Sequence, residues 1–309
     1  MPALASAIIG AVHRRLHSPV IRRGLRLIGV SPLLHRLYAR QLIARGEHEA
    51  RLFGRSLRFV ISSEREIQRI DNLMNERAFV ARILGAIQPG DVAYDVGANI
   101  GVISMLMAGC EGVRAVHSFE PEPRNADHLG RSAQLNGFSH VAVHEIALGD
   151  ADGTISLHVF SESSVGADAE QGGGDGANAD ESATDDSDIG EGRHSIIAVE
   201  PGHEGAAIDV ELRRMDAFAR QHEAEPDVVK IDVEGAEYAV VEGMRDLLEA
   251  CRVRDIFVEL HPRLLAEAER TVDDVEALIT SRGYELAWSS DRDFEVHRHF
   301  RRRDADASV

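Results

Sequence analysis

The sequence predicts an α/β protein with a mostly parallel sheet and helices on both faces. Three observations carry that expectation. From Asp91 onward, short apolar runs alternate with stretches of helical periodicity. Glycine turns follow two of the runs, at Gly97 and Gly235. Acidic residues stand near the ends of four runs, at Asp95, Glu120, Asp232 and Glu259, and open α/β sheets bind their ligands at those ends.

Taken in order, residues 63–87 read as a helix. Ser63 caps it, Ile67, Ile70, Leu73, Phe79, Ile83 and Leu84 form its apolar face, and Pro89–Gly90 ends it. Val92–Val96 reads as a buried strand, followed by a glycine turn and a helix through Met107. Val113–Phe119 is a second strand, with a helix from Arg124 to Leu135, and Val141–Ala147 is a third. Thr154–Phe160 alternates like an added antiparallel strand. Ile208–Leu212, Val228–Val233 and Asp255–Leu260 are further strands, and helices are expected over Glu237–Ala250 and Leu264–Ser281. Tyr284–Trp288 and Phe294–Phe300 form a closing strand pair.

Residues 161–192 break this regularity. They are mostly Gly, Ala, Ser, Asp and Glu, with no basic residue and almost no apolar one, too polar to offset the entropy of ordering, so a disordered acidic insertion is expected. The Asp spacing and closing Glu of a calcium loop are missing. Residues 1–62 read as a helical, basic extension, with Ile8, Val12 and Leu16 at helical spacing among Arg14, Arg15, Arg22, Arg23 and Arg26. An ordinary helix packed on the domain is the favoured reading, and peripheral membrane contact through an interfacial helix is the alternative. Residues 301–309 read as a charged tail.

Charge and composition exclude some partners. A net charge of −18 repels nucleic acid and anionic lipid, and 5% aromatic residues offer little stacking surface for single strands. Lys230 is the sole lysine among many arginines and acids. That balance suits an acidic, halophilic surface in concentrated salt, although GC-rich coding also favours arginine over lysine. Cys110 and Cys251 make neither a metal pair nor a disulfide framework and read as buried thiols in apolar helical stretches, which fits a reducing compartment. No apolar run is long enough to span a bilayer. The apolar opening residues precede Arg14–Arg15, the reverse of a signal peptide, so a cytoplasmic location is expected.

Four motifs carry chemistry. In Tyr94-Asp95-Val96-Gly97-Ala98-Asn99-Ile100-Gly101 a strand ends in an acid and glycines before a helix. Asn99 replaces the middle glycine of a dinucleotide fingerprint and no GKS or GKT follows, so a P-loop is excluded. An acid before the turn suits a cationic ligand better than a pyrophosphate. In Ser118-Phe119-Glu120-Pro121 the acid can accept bonds from two ribose hydroxyls. In Lys230-Ile231-Asp232-Val233-Glu234-Gly235 the charges alternate with apolar residues, which places Asp232 and Glu234 near a strand end facing the cleft. In Val258-Glu259-Leu260-His261-Pro262 a histidine that can take a proton near neutral pH stands at another strand end.

DVGANIG, SFEPEP with the downstream Asn136, KIDVEGAE and VELHP, in this order, resemble the FkbM family of S-adenosylmethionine-dependent methyltransferases. The likeness covers roughly Phe79 to Trp288 apart from the acidic insertion, which makes 63–300 the expected methyltransferase domain. The resemblance implies a Rossmann-like class I methyltransferase fold, with a seven-stranded sheet whose last pair holds an antiparallel strand. It implies S-adenosylmethionine as cofactor, with Asp95, Gly97 and Gly101 at the methionine end and Glu120 at the ribose. Ala98 and Asn99 share that turn and Pro121 adjoins Glu120, so they belong to the expected cofactor site. It further implies O-methylation of a small-molecule or glycan hydroxyl, a sugar or natural product. A hydroxyl nucleophile benefits from a base, and strand-end placement makes Asp232 and His261 the candidates with Glu234 and Glu259 in support. The same set has the donor types of a divalent-metal site, and no metal is assigned from it. The rival readings are an NAD-dependent oxidoreductase, against which the missing middle glycine counts, and a non-catalytic protein that kept the cofactor fold.

Overall fold

A computed structural model describes residues 31–160, 194–195, 205–292 and 294–303. The acidic insertion, the basic segment before residue 31 with its membrane alternative, and residues 304–309 lie outside the described residues.

Helix α1 (Ser31–Arg45) leads into a hairpin of β1 (Glu47–Leu52) and β2 (Arg55–Val60), then α2 (Glu64–Asn72), a 3-10 turn (Leu73–Glu76) and α3 (Arg77–Ala86). Next come β3 (Val92–Val96), α4 (Val102–Ala108), β4 (Ala115–Phe119), α5 (Pro123–Leu135) and β5 (Val141–His144). The strands β6 (Ala147–Gly149), β7 (Gly153–Phe160), β8 (His194–Ser195) and β9 (Gly205–Arg214) follow. The chain continues through α6 (Met215–His222), β10 (Val228–Ile231), α7 (Glu237–Glu242), α8 (Arg245–Glu249), β11 (Asp255–Leu260), α9 (Pro262–Glu267) and α10 (Val272–Thr280). It closes with β12 (Tyr284–Asp291) and β13 (Val296–Arg302).

The main sheet has seven strands in the order β12-β13-β11-β10-β3-β4-β5. All its neighbours are parallel except β13, which runs antiparallel to both β11 and β12. This is the Rossmann-like sheet with an antiparallel strand in its last pair that the resemblance implies. Strands β3, β10 and β11 are buried along their whole length, as continuous apolar runs in a two-sided parallel sheet must be. Alternation sorts their side chains between two layers. Val92, Tyr94, Val96, Val229 and Ile231 pack with Phe218, Val240, Leu248, Leu265 and Ile279 of α6 to α10. Ala93, Val228 and Phe257 pack on the other face with Phe79, Ile83 and Met107 of α3 and α4. The strand order reverses between β3 and β10, so a crevice opens there at the carboxyl ends.

Several elements differ from the sequence expectation. The helix over 63–87 is two helices joined by a 3-10 turn, although Ser63 does cap it with a reciprocal box to Glu66. The helix over 237–250 divides because the buried Asp216 carboxylate accepts the amides of Asp246 and Leu247 at 3.0 Å each and so starts α8 afresh. The helix over 264–281 divides where Thr271 and Asp274 form a second capping box. The third strand also splits: Val141–His144 stays in the main sheet, whereas Ala147–Gly149 pairs with β9 in a four-stranded sheet of order β6-β9-β7-β8. Thr154–Phe160 is antiparallel as expected, but within this second sheet. The stretch over 228–233 ends as a strand at Ile231, which leaves Asp232 and Glu234 in the following loop. Cys110 and Cys251 lie just past helix ends and are half-buried, not buried within helices. Strand β13 runs to Arg302, into the expected tail.

The hairpin β1–β2 went unpredicted. Leu52, Leu57 and Phe59 share a core with Ile67, Ile100, Met105 and Leu129. Asn136 of α5's C-cap locks β2 in place: its Oδ1 accepts the Arg58 amide at 2.9 Å and its Nδ2 donates to the Arg58 carbonyl at 2.6 Å.

Candidate active site

The cleft lies at the switch point, with a volume of about 620 Å³. Val96, Gly97 and Asn99 form one side, and Phe119, Glu120 and Pro121 the next. Ile146, Ala147, Leu148 and Leu157 make an apolar wall, and Asp232, Val233 and Glu234 form the lip.

The turn after β3 is shaped by close approach. Gly97 has φ +72°, and a Cβ there would stand 1.8 Å from the Asp232 carbonyl oxygen, so only glycine lets the two loops cross. Asn99 has φ +50°, a left-handed conformation that asparagine tolerates, so the missing middle glycine does not change the backbone path. The Asn99 amide donates to Glu120 Oε2 at 2.7 Å and the Glu122 amide donates to Oε1 at 3.0 Å. Glu120 is buried and makes no ion pair among the described residues. Burial pushes its carboxyl up to about 7, against the pull of the two amides. Each oxygen keeps a lone pair for further donors.

Asp95 is placed otherwise than expected. It is wholly buried beneath the cleft and does not line it. Ser104 Oγ donates to Asp95 Oδ2 at 2.6 Å, and Lys230 Nζ stands 3.1 Å from Oδ1. Ala98 and Gly101 are likewise outside the lining: Ala98 is buried, and Gly101 opens α4 against Leu129. Of the expected cofactor residues, Gly97, Asn99, Glu120 and Pro121 are the ones that face the cleft.

Lys230 joins the two sides. Its ammonium donates to the Gly97 carbonyl at 3.2 Å and lies 3.3 Å from Asp232 Oδ2 as well as 3.1 Å from Asp95. Burial alone would lower its pKa, but Asp95, Asp232 and Glu259 outweigh that and raise it. Asp232 is lowered: burial opposes ionisation, and Lys230, His261 and Arg69 overcome it.

His261 follows β11 and its Nδ1 is 2.7 Å from Glu237 Oε1. Burial disfavours its charge, yet the Glu237 hydrogen bond, with Asp232 and Glu259 nearby, raises its pKa to about 10. His261 is therefore an imidazolium at neutral pH, paired and not poised as a free base. Glu259 is pushed up to about 8 by burial, then by Asp232 and Glu295. Glu76 rises to about 7 through burial and Glu259. The structure thus brings Asp232, Glu259 and His261 together and adds Glu76 and His297, while Glu234 shares the lip of the cleft with Asp232.

Sequence reasoning missed Arg69, Glu237, Glu76 and His297. Arg69 lines the cleft from the last turn of α2 and makes no hydrogen bond or ion pair with another described residue. A lone arginine beside an apolar helical face gave no signal. Glu237 was readable as part of KIDVEGAE, but its burial was not.

Among the described residues, no helix is long and apolar enough to cross a membrane. The Methyltransferase FkbM domain model matches residues 95–286. The chain is 27% identical over 232 residues to the hexuronic acid methyltransferase AglP of Haloferax volcanii, covering 72% of this chain and 82% of that protein. It is 29% identical over 233 residues to the 31-O-demethyl-FK506 methyltransferase FkbM of Streptomyces tacrolimicus, covering 71% of this chain and 83% of that protein.

Proposed function

The chain belongs to the FkbM methyltransferase family, and we propose that it transfers the methyl group of S-adenosylmethionine to a hydroxyl oxygen of a sugar or natural-product acceptor. The observation that carries this reading is the cleft at the switch point, with one buried carboxylate in its wall and a charged lip opposite. The residues present fit the cofactor. Glu120 offers two oxygens to ribose hydroxyls, each already steadied by a backbone amide. Phe119, Ile146, Leu148 and Leu157 supply apolar surface for a base. Gly97 brings backbone to the wall of the cleft, and Arg69 adds a positive charge to the same lining. The cofactor supplies an electrophilic methyl group on a sulfonium.

The chain's own work is positioning and proton handling. Asp232 stands at the lip, about a quarter exposed and ionised, so it can accept the acceptor hydroxyl's proton. Lys230 fixes it from below, and the His261 imidazolium, held by Glu237, fixes its charge from the side. His261 is therefore a positioning residue in this reading, and Glu259 is protonated at neutral pH beside it. An oxygen acceptor agrees with the name of the relative from Streptomyces, and a hexuronic acid is the sugar named for the relative from Haloferax.

Calorimetry with S-adenosylhomocysteine in concentrated potassium chloride tests the donor site, with NAD as control. Binding by the wild type that Glu120→Ala weakens about ten- to a hundredfold is expected, since a charge-assisted hydrogen bond is worth about 1.5–3 kcal/mol. Binding of NAD instead would mean an oxidoreductase. No nucleoside binding by a folded chain would mean a protein that kept the fold without the chemistry.

A further inference from the structure

We infer that Asp232, Glu259 and His261 hold a divalent cation beside the cleft, whose lining Asp232 alone of the three shares. Their donor atoms lie within 4.8 Å of one another, and they converge from the loop after β10 and the end of β11. Two carboxylates and one imidazole suit a cation of intermediate hardness, such as manganese(II) or zinc(II), better than calcium.

Two further observations point to a ligand. Glu259 is more than nine-tenths buried, yet among the described residues no hydrogen bond reaches its carboxylate. Its Oε1 stands 4.0 Å from His261 Nε2 and its Oε2 3.3 Å from His297 Nε2. That His297 nitrogen, on a residue only 2% exposed, has no hydrogen-bond partner and is aimed at the cluster. Buried polar groups in folded proteins are hydrogen-bonded, and a buried nitrogen left without such a bond beside a carboxylate marks room for a further participant. The second observation is the fixing of His261. The wholly buried Glu237 takes Nδ1, which leaves Nε2 for the cluster. A carboxylate behind one ring nitrogen is the arrangement that orients a metal-binding histidine.

Lys230 balances Asp232 and Asp95 but makes no ion pair with Glu259. The role of the site rests on reading this edge as the acceptor side: three protein donors leave coordination positions open, and an acceptor hydroxyl oxygen would complete the shell.

The test is a titration of the metal-stripped full chain with manganese(II) chloride in concentrated potassium chloride, with free ion read by electron paramagnetic resonance. S-adenosylhomocysteine binding is measured on the same samples. One site per chain is expected, weakened at least tenfold by Glu259→Gln and by His261→Ala. Asp273→Asn, which removes an exposed carboxylate of α10, is expected to leave it unchanged. A chain that binds S-adenosylhomocysteine but takes up manganese only weakly and diffusely overturns the site. So does a tight site that survives both Glu259→Gln and His261→Ala. If manganese binds as expected and the nucleoside does not, the cation site stands and the donor reading falls. Glu259→Gln preserves side-chain volume, so the result does not hang on whether His261→Ala folds.

Discussion

The two ends of the cleft are built on opposite terms. The end proposed for the donor sets one buried carboxylate, Glu120, among apolar walls and steadies it with two backbone amides. The end proposed for the acceptor sets Asp232 at the lip and crowds Glu76, Glu259, His261 and His297 beside it, outside the lining, with Lys230 beneath and Glu237 behind. A surface that recognises hydroxyls and a flat apolar base needs few charges. An edge that must move a proton gathers many, because each one tunes its neighbours.

The contrast holds only if the two ends are tied through Lys230, and breaking that tie has the largest expected effect. Lys230→Met strands the buried Asp95 carboxylate without its cation and is expected to cost about 3–5 kcal/mol of stability. Denaturant unfolding at neutral pH measures it. A loss below about 1 kcal/mol would mean that the ends stand independently.

The second prediction concerns the donor end by itself. Glu120 titrates at about 7 in the folded chain, above its ordinary 4.5, because it is buried. The sign follows: the neutral form contributes stability that is full below the ordinary value and is lost as pH rises through about 7. Ribose hydroxyls donate, so they need the ionised form. S-adenosylhomocysteine affinity is therefore expected to fall about tenfold per pH unit below about 7 and to level off above it. Glu120→Gln should flatten the profile. A slope that persists in this variant would shift the titrating group to the acceptor end.

The smallest effect sharpens the border between the ends. Arg69 is half-exposed, so Arg69→Ala is expected to weaken S-adenosylhomocysteine binding by on the order of 1 kcal/mol, about fivefold. Unchanged donor binding with a raised acceptor KM would assign Arg69 to the acceptor instead.

That the residues proposed for the donor end share one cleft was largely legible in the sequence, because they are local. Gly97, Asn99, Glu120 and Pro121 sit in two short motifs at successive strand ends, and the parallel pairing of β3 with β4 places those ends side by side. Asp95 shows the limit of that logic: its position in the motif is plain, but the lysine that covers it comes from β10. The acceptor end was half legible. Asp232, Glu259 and His261 stand at strand ends, whereas Glu76 lies in a 3-10 turn and His297 on the antiparallel β13. Nothing in local pattern brings positions 76, 259 and 297 together; the sheet order does. The long helices failed for a related reason. The Asp216 side chain, distant in sequence, ends one helix and begins the next. The hairpin at 47–60 hid because its two strands are short and follow a helix directly, and their outward Glu49, Arg51, Ser56 and Arg58 are as polar as a helix surface.

The contact between Gly97 and the Asp232 carbonyl bears on how such a protein can diverge. Backbone rests on backbone there, so the loop that seats the donor and the loop that faces the acceptor cannot be exchanged as separate parts. Descent with new specificities then has to work around this joint, through the wall from Ile146 to Leu157, the helix that bears Arg69 and the turn that bears Glu76. An inventory of tolerated substitutions would show position 97 frozen and those three borders free to vary.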